Sequence, residues 1–254
     1  MWKAITRAVS PAMNRCELSY IERIEIDIEK AQAQHRVYED CLRGMGAEVI
    51  ALPAEPDLPD SVFVEDPAIV LDEIAVLTLP GVESRRTEGD SLAGTLARFR
   101  PLCRMQAPAT LEGGDVMRVE KTLYVGASAR TNAAGIRQLR EMLKPFGYEV
   151  RAVETRGCLH LKSGCTYLGE GVVLANPEWV DIEALDVLHI VYVPAGEPWA
   201  ANALTIDGAA LLPSCFPETA RIVERLGWKI YSTDISELRK AEAGVTCSSL
   251  VFRV

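Results

Sequence analysis

The apolar positions of this 254-residue chain follow two alternating periods. Spacings of three and four residues predict helices at about 18–45, 88–99, 131–146 and 217–227. In the first, Ile21, Ile24, Ile28, Ala31 and Val37 form the stripe, and Gly44 and Gly46 end it. The second runs through Leu92, Leu96 and Phe99. In the third, Thr131 or Asn132 offers a cap, Ile136, Leu139, Met142 and Leu143 face inward, and Pro145 and Gly147 stop it. Pro217 and Glu218 suit the first turn of the fourth, with Ile222, Val223 and Leu226 inward.

Between these helices lie short strand pairs. They are 68–71 with 74–77, 116–119 with 122–125, 166–168 with 172–174, and 203–206 with 209–212. Asp207-Gly208 is the strongest of the hairpin turns, and Gly169-Glu170-Gly171 marks another. Each pair is followed by a helix or polar stretch and then a lone strand, at 104–107, 149–152, 189–193 and 228–231. The segment 48–51 follows the first helix in the same way. Equivalent polar positions, Asp66, Asp115, Cys165, Asn202 and Cys247, recur at spacings of 49, 50, 37 and 45 residues. A period in that range points to a solenoid, propeller or radial array. The last strand, 250–254, is placed to close a fifth unit against the first, 4–9. No linker divides the chain, so residues 1–254 are expected to form a single α/β domain.

Composition narrows the function. The formal charge of −9 and pI near 5.0 argue against a nucleic-acid partner, which needs a basic stripe, and favour cationic ligands. No apolar run is long enough for a membrane span or a signal peptide. Seven cysteines, an odd number without a CxxC, read as reduced thiols of a cytoplasmic protein, with no disulfide framework or structural zinc.

Three segments near strand mouths carry chemistry. Cys247 lies in Gly244-Val245-Thr246-Cys247-Ser248-Ser249, His160 beside Lys162-Ser163-Gly164, and Glu112 ahead of Gly113 and Gly114. Thiol, imidazole and carboxylate are the inventory for nucleophilic attack with proton transfer. Each residue alone also fits a structural role: a buried thiol, a satisfied core histidine, a solvated turn acid. His35 and His189, on apolar elements, fit that role better than His160. Asp60, Glu65 and Asp66 surround Val62, Phe63 and Val64. Buried acids need a cation, supplied either by a guanidinium ligand or by an arginine of the chain. Arg85 and Arg130 each precede a helical start and could clamp a carboxylate, or simply face solvent.

Leu58-Pro59-Asp60, Phe63-Val64-Glu65-Asp66, Ser84-Arg85-Arg86, Leu111-Glu112-Gly113-Gly114-Asp115-Val116, Arg130-Thr131-Asn132, Leu159-His160-Leu161-Lys162-Ser163 and Thr246-Cys247-Ser248 occur in this order. Together they resemble the dimethylarginine dimethylaminohydrolase family of guanidino-modifying enzymes, from near residue 5 to the C-terminus. The resemblance implies a five-bladed pseudo-symmetric α/β propeller with a central channel. It implies hydrolysis of N-omega-methylated arginine to citrulline and a methylamine, without metal or other cofactor. It makes Cys247 the nucleophile, His160 the general acid and base, and Glu112 the carboxylate that orients His160. Asp60, Glu65 and Asp66 match the acids on the substrate, Arg85 and Arg130 the arginines near its amino-acid end, and Leu18 and Ala241 positions lining it. The partner implied is a small cationic amino acid; exposed propeller faces also leave a homodimer open. An arginine deiminase-like or amidino-transferring enzyme shares the thiol–imidazole–carboxylate logic, as would an amino-acid-binding protein without turnover. The lack of an inserted helical region weighs against the deiminase.

Overall fold

The structure is a computed structural model that describes residues 1–185 and 189–254. In chain order, β1 (Trp2–Arg7), α1 (Ile28–Gly44) and β2 (Ala47–Leu52) are followed by β3 (Ala68–Val70), β4 (Ala75–Leu77), α2 (Glu88–Leu96) and β5 (Leu102–Arg104). Next come β6 (Val116–Val119), β7 (Thr122–Ala127), α3 (Ala133–Leu143) and β8 (Glu149–Glu154). Then follow α4 (Leu161–Gly164), β9 (Cys165–Gly169), β10 (Val172–Ala175) and β11 (His189–Tyr192). The chain ends with β12 (Leu204–Ile206), β13 (Ala209–Pro213), α5 (Pro217–Arg225), β14 (Lys229–Thr233), α6 (Ser236–Arg239) and β15 (Leu250–Arg253).

These strands form five three-stranded sheets, β15-β1-β2, β3-β4-β5, β6-β7-β8, β9-β10-β11 and β12-β13-β14. In each, the first two strands pair antiparallel and the third lies parallel to the middle one. A parallel third strand needs a crossover, and α1, α2, α3 and α5 supply it in four of the five blades. The result is the five-bladed α/β propeller. One blade joins both ends of the chain, with Trp2 opposite Arg253 and Ile5 opposite Leu250. The first strand of every blade lines a central cavity of about 730 Å³, through Ala68, Val116, Thr166, Leu204 and Leu250 among others. Each repeat period is therefore one blade, and five blades complete the turn around the channel.

The local signals work as chemistry requires. Asp207 and Gly208 both adopt positive φ, 42° and 76°, as a tight hairpin turn needs. Asn132 caps α3, its side chain accepting the Gly135 N–H at 2.7 Å. Ile136, Leu139 and Leu143 are buried beneath that helix. Three expectations are corrected. The first helix starts at Ile28, not 18: Asp27 caps it, and residues 18–27 form a loop. The backbone there is taken up by side chains. Glu242 accepts the N–H groups of Ser19, Tyr20 and Ile21, and Asn14 brackets Ile26 through both its N–H and its C=O. The strand expected at 104–107 is β5, ending at Arg104, because Gln106 gives its N–H to the Gln138 side chain. Ile24, Val37 and Leu226, placed inward by periodicity, are exposed. Among the described residues no helix is long and apolar enough to cross a membrane.

Candidate active site

The polar residues at the strand mouths meet at one end of the channel. Two glycines allow the approach. A Cβ on Gly113 would stand 2.0 Å from the Glu65 carbonyl oxygen, and one on Gly114 would stand 2.6 Å from His160 Nδ1 and 2.8 Å from Asp66 Oδ1. No side chain fits at either position, which gives the Glu-Gly-Gly-Asp turn ahead of β6 its physical reason.

His160, 3 % exposed, bonds through Nε2 to Glu112 Oε2 at 2.6 Å, and Glu112 is fully buried. His160 Nδ1 faces Asp66 Oδ1 at 3.9 Å. Asp115 secures the segment from below, accepting the Leu161 N–H at 2.9 Å and the hydroxyls of Ser128 and Thr131 at 2.6 and 2.7 Å. Burial opposes charge on the ring, but Asp66, Glu112 and Asp115 outweigh it and lift His160 to about 9. Burial likewise opposes the Glu112 carboxylate, yet His160, Arg85 and Arg130 pull it down to about 2. The pair is therefore imidazolium and carboxylate at neutral pH.

Cys247 is half-buried on the turn entering β15, and Gly244 N–H points at its Sγ from 3.4 Å. Its carbonyl accepts the Glu65 N–H at 3.2 Å, so the thiol's residue adjoins the acidic cluster. Burial and the carboxylates of Glu65 and Asp66 push the thiol pKa upward. At neutral pH the thiol is protonated and the His160 ring is an imidazolium. Leu18, Ala241 and Cys247 belong to the same large apolar cluster, which also packs α1 against β12 and β13.

The three acids are treated differently. Glu65 is paired with Lys162 Nζ through Oε1 and accepts the Thr246 hydroxyl through Oε2 at 2.7 Å. Asp66 pairs with Arg85 at 2.9 Å. Asp60 takes the Glu17 N–H at 3.1 and 3.3 Å. Burial raises the pKa of Asp60 and of Glu65. Cations of the chain thus answer Glu65 and Asp66 in this structure. Arg85 and Arg130 are both buried, not solvated. Arg85 grips Glu88 through two bonds of 2.9 and 3.0 Å, and its Nη1 reaches Glu112 at 3.8 Å. Arg130 reaches Glu112 at 3.4 Å and Ser19 Oγ at 3.1 Å, which joins the site to the loop before α1.

Asp66, Glu112 and His160 could together hold a metal ion, with ligand atoms within 4.8 Å of one another. The Arg85 guanidinium already brings positive charge against the two carboxylates of that set. Glu88 and Ser19 were not singled out from sequence. Glu88 sits three residues from Arg85, one helical turn away, and that i,i+3 spacing was the available signal. Ser19 lay within a segment assigned to a helix and gave none. Lys162 and Thr246 stood in the quoted motifs without a role. His35 is buried in α1, and His189 is exposed on β11; neither joins the site.

The model of the family described as N,N dimethylarginine dimethylhydrolase, eukaryotic, matches residues 6–184. The chain is 39% identical to the N(G),N(G)-dimethylarginine dimethylaminohydrolase of Pseudomonas aeruginosa over 228 residues, covering 89% of this chain and 90% of that one. It is 36% identical to the protein of the same name from Streptomyces coelicolor over 255 residues, covering 99% and 97%. Among solved structures, a cysteine-to-serine variant of the Pseudomonas aeruginosa enzyme complexed with citrulline superposes with a TM-score of 0.93 at 35% identity, covering 99% of this chain and all of that one. The N-terminal domain of a cyanobacterial arginine dihydrolase shares the fold, with a TM-score of 0.85 at 17% identity, covering 99% of this chain and 98% of that one. With a propeller of this shape, buried acids at its mouths and relatives matched across nearly their whole length, the chain belongs to the dimethylarginine dimethylaminohydrolase family.

Proposed function

We propose that this protein hydrolyses N-omega-methylated arginines to citrulline and a methylamine, with Cys247 as nucleophile, His160 as proton carrier and Glu112 as the group that orients His160. The observation carrying these roles is the 2.6 Å bond between His160 and Glu112, set in a ring of buried acids that adjoins Cys247. Asp60, Glu65 and Asp66 supply the negative surroundings that a guanidinium needs. Arg85 and Arg130 stand nearer the amino-acid end, and Leu18 and Ala241 line the substrate's path.

A guanidinium is a poor electrophile, because its charge is spread over three nitrogens. In the resting site the thiol is neutral. A cationic substrate among the same acids offsets the charge of Glu65 and Asp66, which favours loss of the thiol proton to solvent. The thiolate attacks the central guanidinium carbon and a C–S bond forms. The His160 imidazolium gives its proton to the substituted nitrogen, the C–N bond breaks, and the methylamine leaves. Cys247 then carries a thiouronium. Water attacks the same carbon while neutral His160 takes its proton. The C–S bond breaks, citrulline departs, and the thiol is restored.

A cytoplasmic location belongs to the same proposal, since all seven cysteines are free thiols. So does a single catalytic domain spanning the chain, supported by the blade that joins both termini. A homodimer is proposed with it, and sedimentation velocity checks that part. The main test supplies asymmetric dimethylarginine and unmodified arginine separately and measures citrulline. Turnover of the methylated compound is expected; turnover of arginine alone rejects the assignment in favour of a deiminase.

A further inference from the structure

Asn202 stands just ahead of β12, in the position that Asp66, Asp115 and Cys247 take in their own blades. It is 5 % exposed, and its amide is fully engaged. Oδ1 accepts the Thr246 N–H at 3.0 Å. Nδ2 donates to the Lys162 carbonyl oxygen at 2.8 Å and to Thr246 Oγ1 at 2.9 Å. The donor at one partner and the acceptor at the other leave a single orientation of the amide. One end therefore holds the residue before Cys247, and the other holds the residue two beyond His160.

The bond to Thr246 has a consequence. An amide nitrogen only donates, so Thr246 Oγ1 accepts from it and spends its own proton on Glu65 Oε2, 2.7 Å away. Lys162 Nζ donates to the other oxygen of Glu65. The bonds close a circuit from Asn202 through Thr246, Glu65 and Lys162 back to Asn202. It ties the mouths of four blades together. Gly244 seals it: a Cβ there would stand 2.2 Å from Asn202 Oδ1, so the Cys247 turn lies directly on the amide.

We infer that Asn202 is a positioning residue of the reaction, whose one amide sets the spacing between the turn bearing Cys247 and the segment bearing His160. The inference rests on the roles proposed above for those two residues. Attack and proton transfer occur at one small centre, and a misplacement of about 1 Å costs roughly a hundredfold in rate. Asn202→Asp keeps the shape but sets a carboxylate oxygen against the Lys162 carbonyl and draws the Thr246 proton away from Glu65. Asn202→Ala removes all three bonds.

The test is steady-state hydrolysis of asymmetric dimethylarginine by Asn202→Asp, Asn202→Ala, Thr246→Val and Cys247→Ala, with competent sites counted by iodoacetamide labelling quantified on the peptide that bears Cys247, apart from the other free thiols. In both Asn202 variants, kcat per labelled thiol is expected to fall at least about tenfold, with KM within about threefold of the parent. Thr246→Val loses less in the same direction, and Asn202→Asp combined with Thr246→Val loses less than the product of the two single losses. A purely structural role lowers the melting temperature and the count of reactive thiols but leaves kcat per thiol unchanged. That result, or kcat within about twofold of the parent in both Asn202 variants, overturns the inference. If neither Asn202 variant folds, an unchanged kcat in Thr246→Val overturns it. Turnover by Cys247→Ala instead removes the nucleophile assignment on which it stands.

Discussion

Two arginine–carboxylate pairs lie on the same blade, one facing water and the other buried. Arg104 meets Asp90 at 2.7 Å on the outer rim, with both side chains about half exposed, at 49% and 62%. Arg85 meets Asp66 at 2.9 Å at the inner mouth, with both side chains 4% exposed. The outer pair is the shorter, yet exposed pairs contribute only about 0–1 kcal/mol because water screens them and two long side chains must be ordered. The inner pair cannot be valued alone. Arg85 holds Asp66 and Glu88 and borders Glu112, so one guanidinium serves three carboxylates. Length does not rank such contacts; access to water does. Asp60, Asp66, Arg85, Glu112 and Arg130, all buried, also gather around the candidate site.

The largest effect expected separates chemistry from support. Cys247→Ala abolishes citrulline formation, by more than about ten thousandfold, while the denaturation midpoint stays near that of the parent. Residual turnover above that level breaks the view that the inner ring serves a nucleophile. Next, Arg85→Ala strands three carboxylates. It is expected to destabilise the protein by about 3–5 kcal/mol in urea unfolding, the range for a broken buried pair. A loss below about 1 kcal/mol makes inner and outer pairs equivalent and ends the comparison.

The third prediction concerns pH. His160 is raised to about 9 and Glu112 lowered to about 2. The histidine's share of stability is complete below its unfolded value of about 6.5 and is lost as pH rises through 9. The glutamate's share is complete above about 4.5 and is lost as pH falls through 2. Unfolding free energy measured from pH 6 to 10 should therefore fall more steeply in the parent than in His160→Gln. Parallel curves sink the ion pair. The smallest effect is the sharpest control: Arg104→Ala changes stability by less than about 1 kcal/mol, leaves turnover unaltered, and is checked by the same unfolding and citrulline assays.

Much of the architecture was legible because it is written in neighbours. Asp207-Gly208 names its own turn, Asn132 its own cap, and the blade period shows in Asp66, Asp115, Asn202 and Cys247. Identifying Cys247, His160 and Glu112 needed the ordered motifs, since each residue alone also fits a structural role. Where the sequence pattern failed, distant side chains had intervened. Ile21 and Ile24 hold helical spacing, but Asn14, outside the segment, takes both the N–H and the C=O of Ile26, which a helix would bond within itself, and Glu242, more than two hundred residues away, holds the N–H groups of Ser19, Tyr20 and Ile21. Glu88, Thr246 and Asn202 looked ordinary because their partners come from other blades or other turns.

Hydrophobic period, turn chemistry and the order of short motifs are local properties, so the chain alone determined the hairpin–helix–strand unit, its fivefold recurrence and the candidates for the chemistry. Charge state and spacing depend on what surrounds a group in three dimensions. Only the closed ring decided that a histidine would be held as imidazolium by acids from separate blades, that two arginines would be buried instead of solvated, and that one asparagine would join the two reactive segments. Electrostatic energy in a dry interior depends on distance through space, which the order of residues along the chain does not contain.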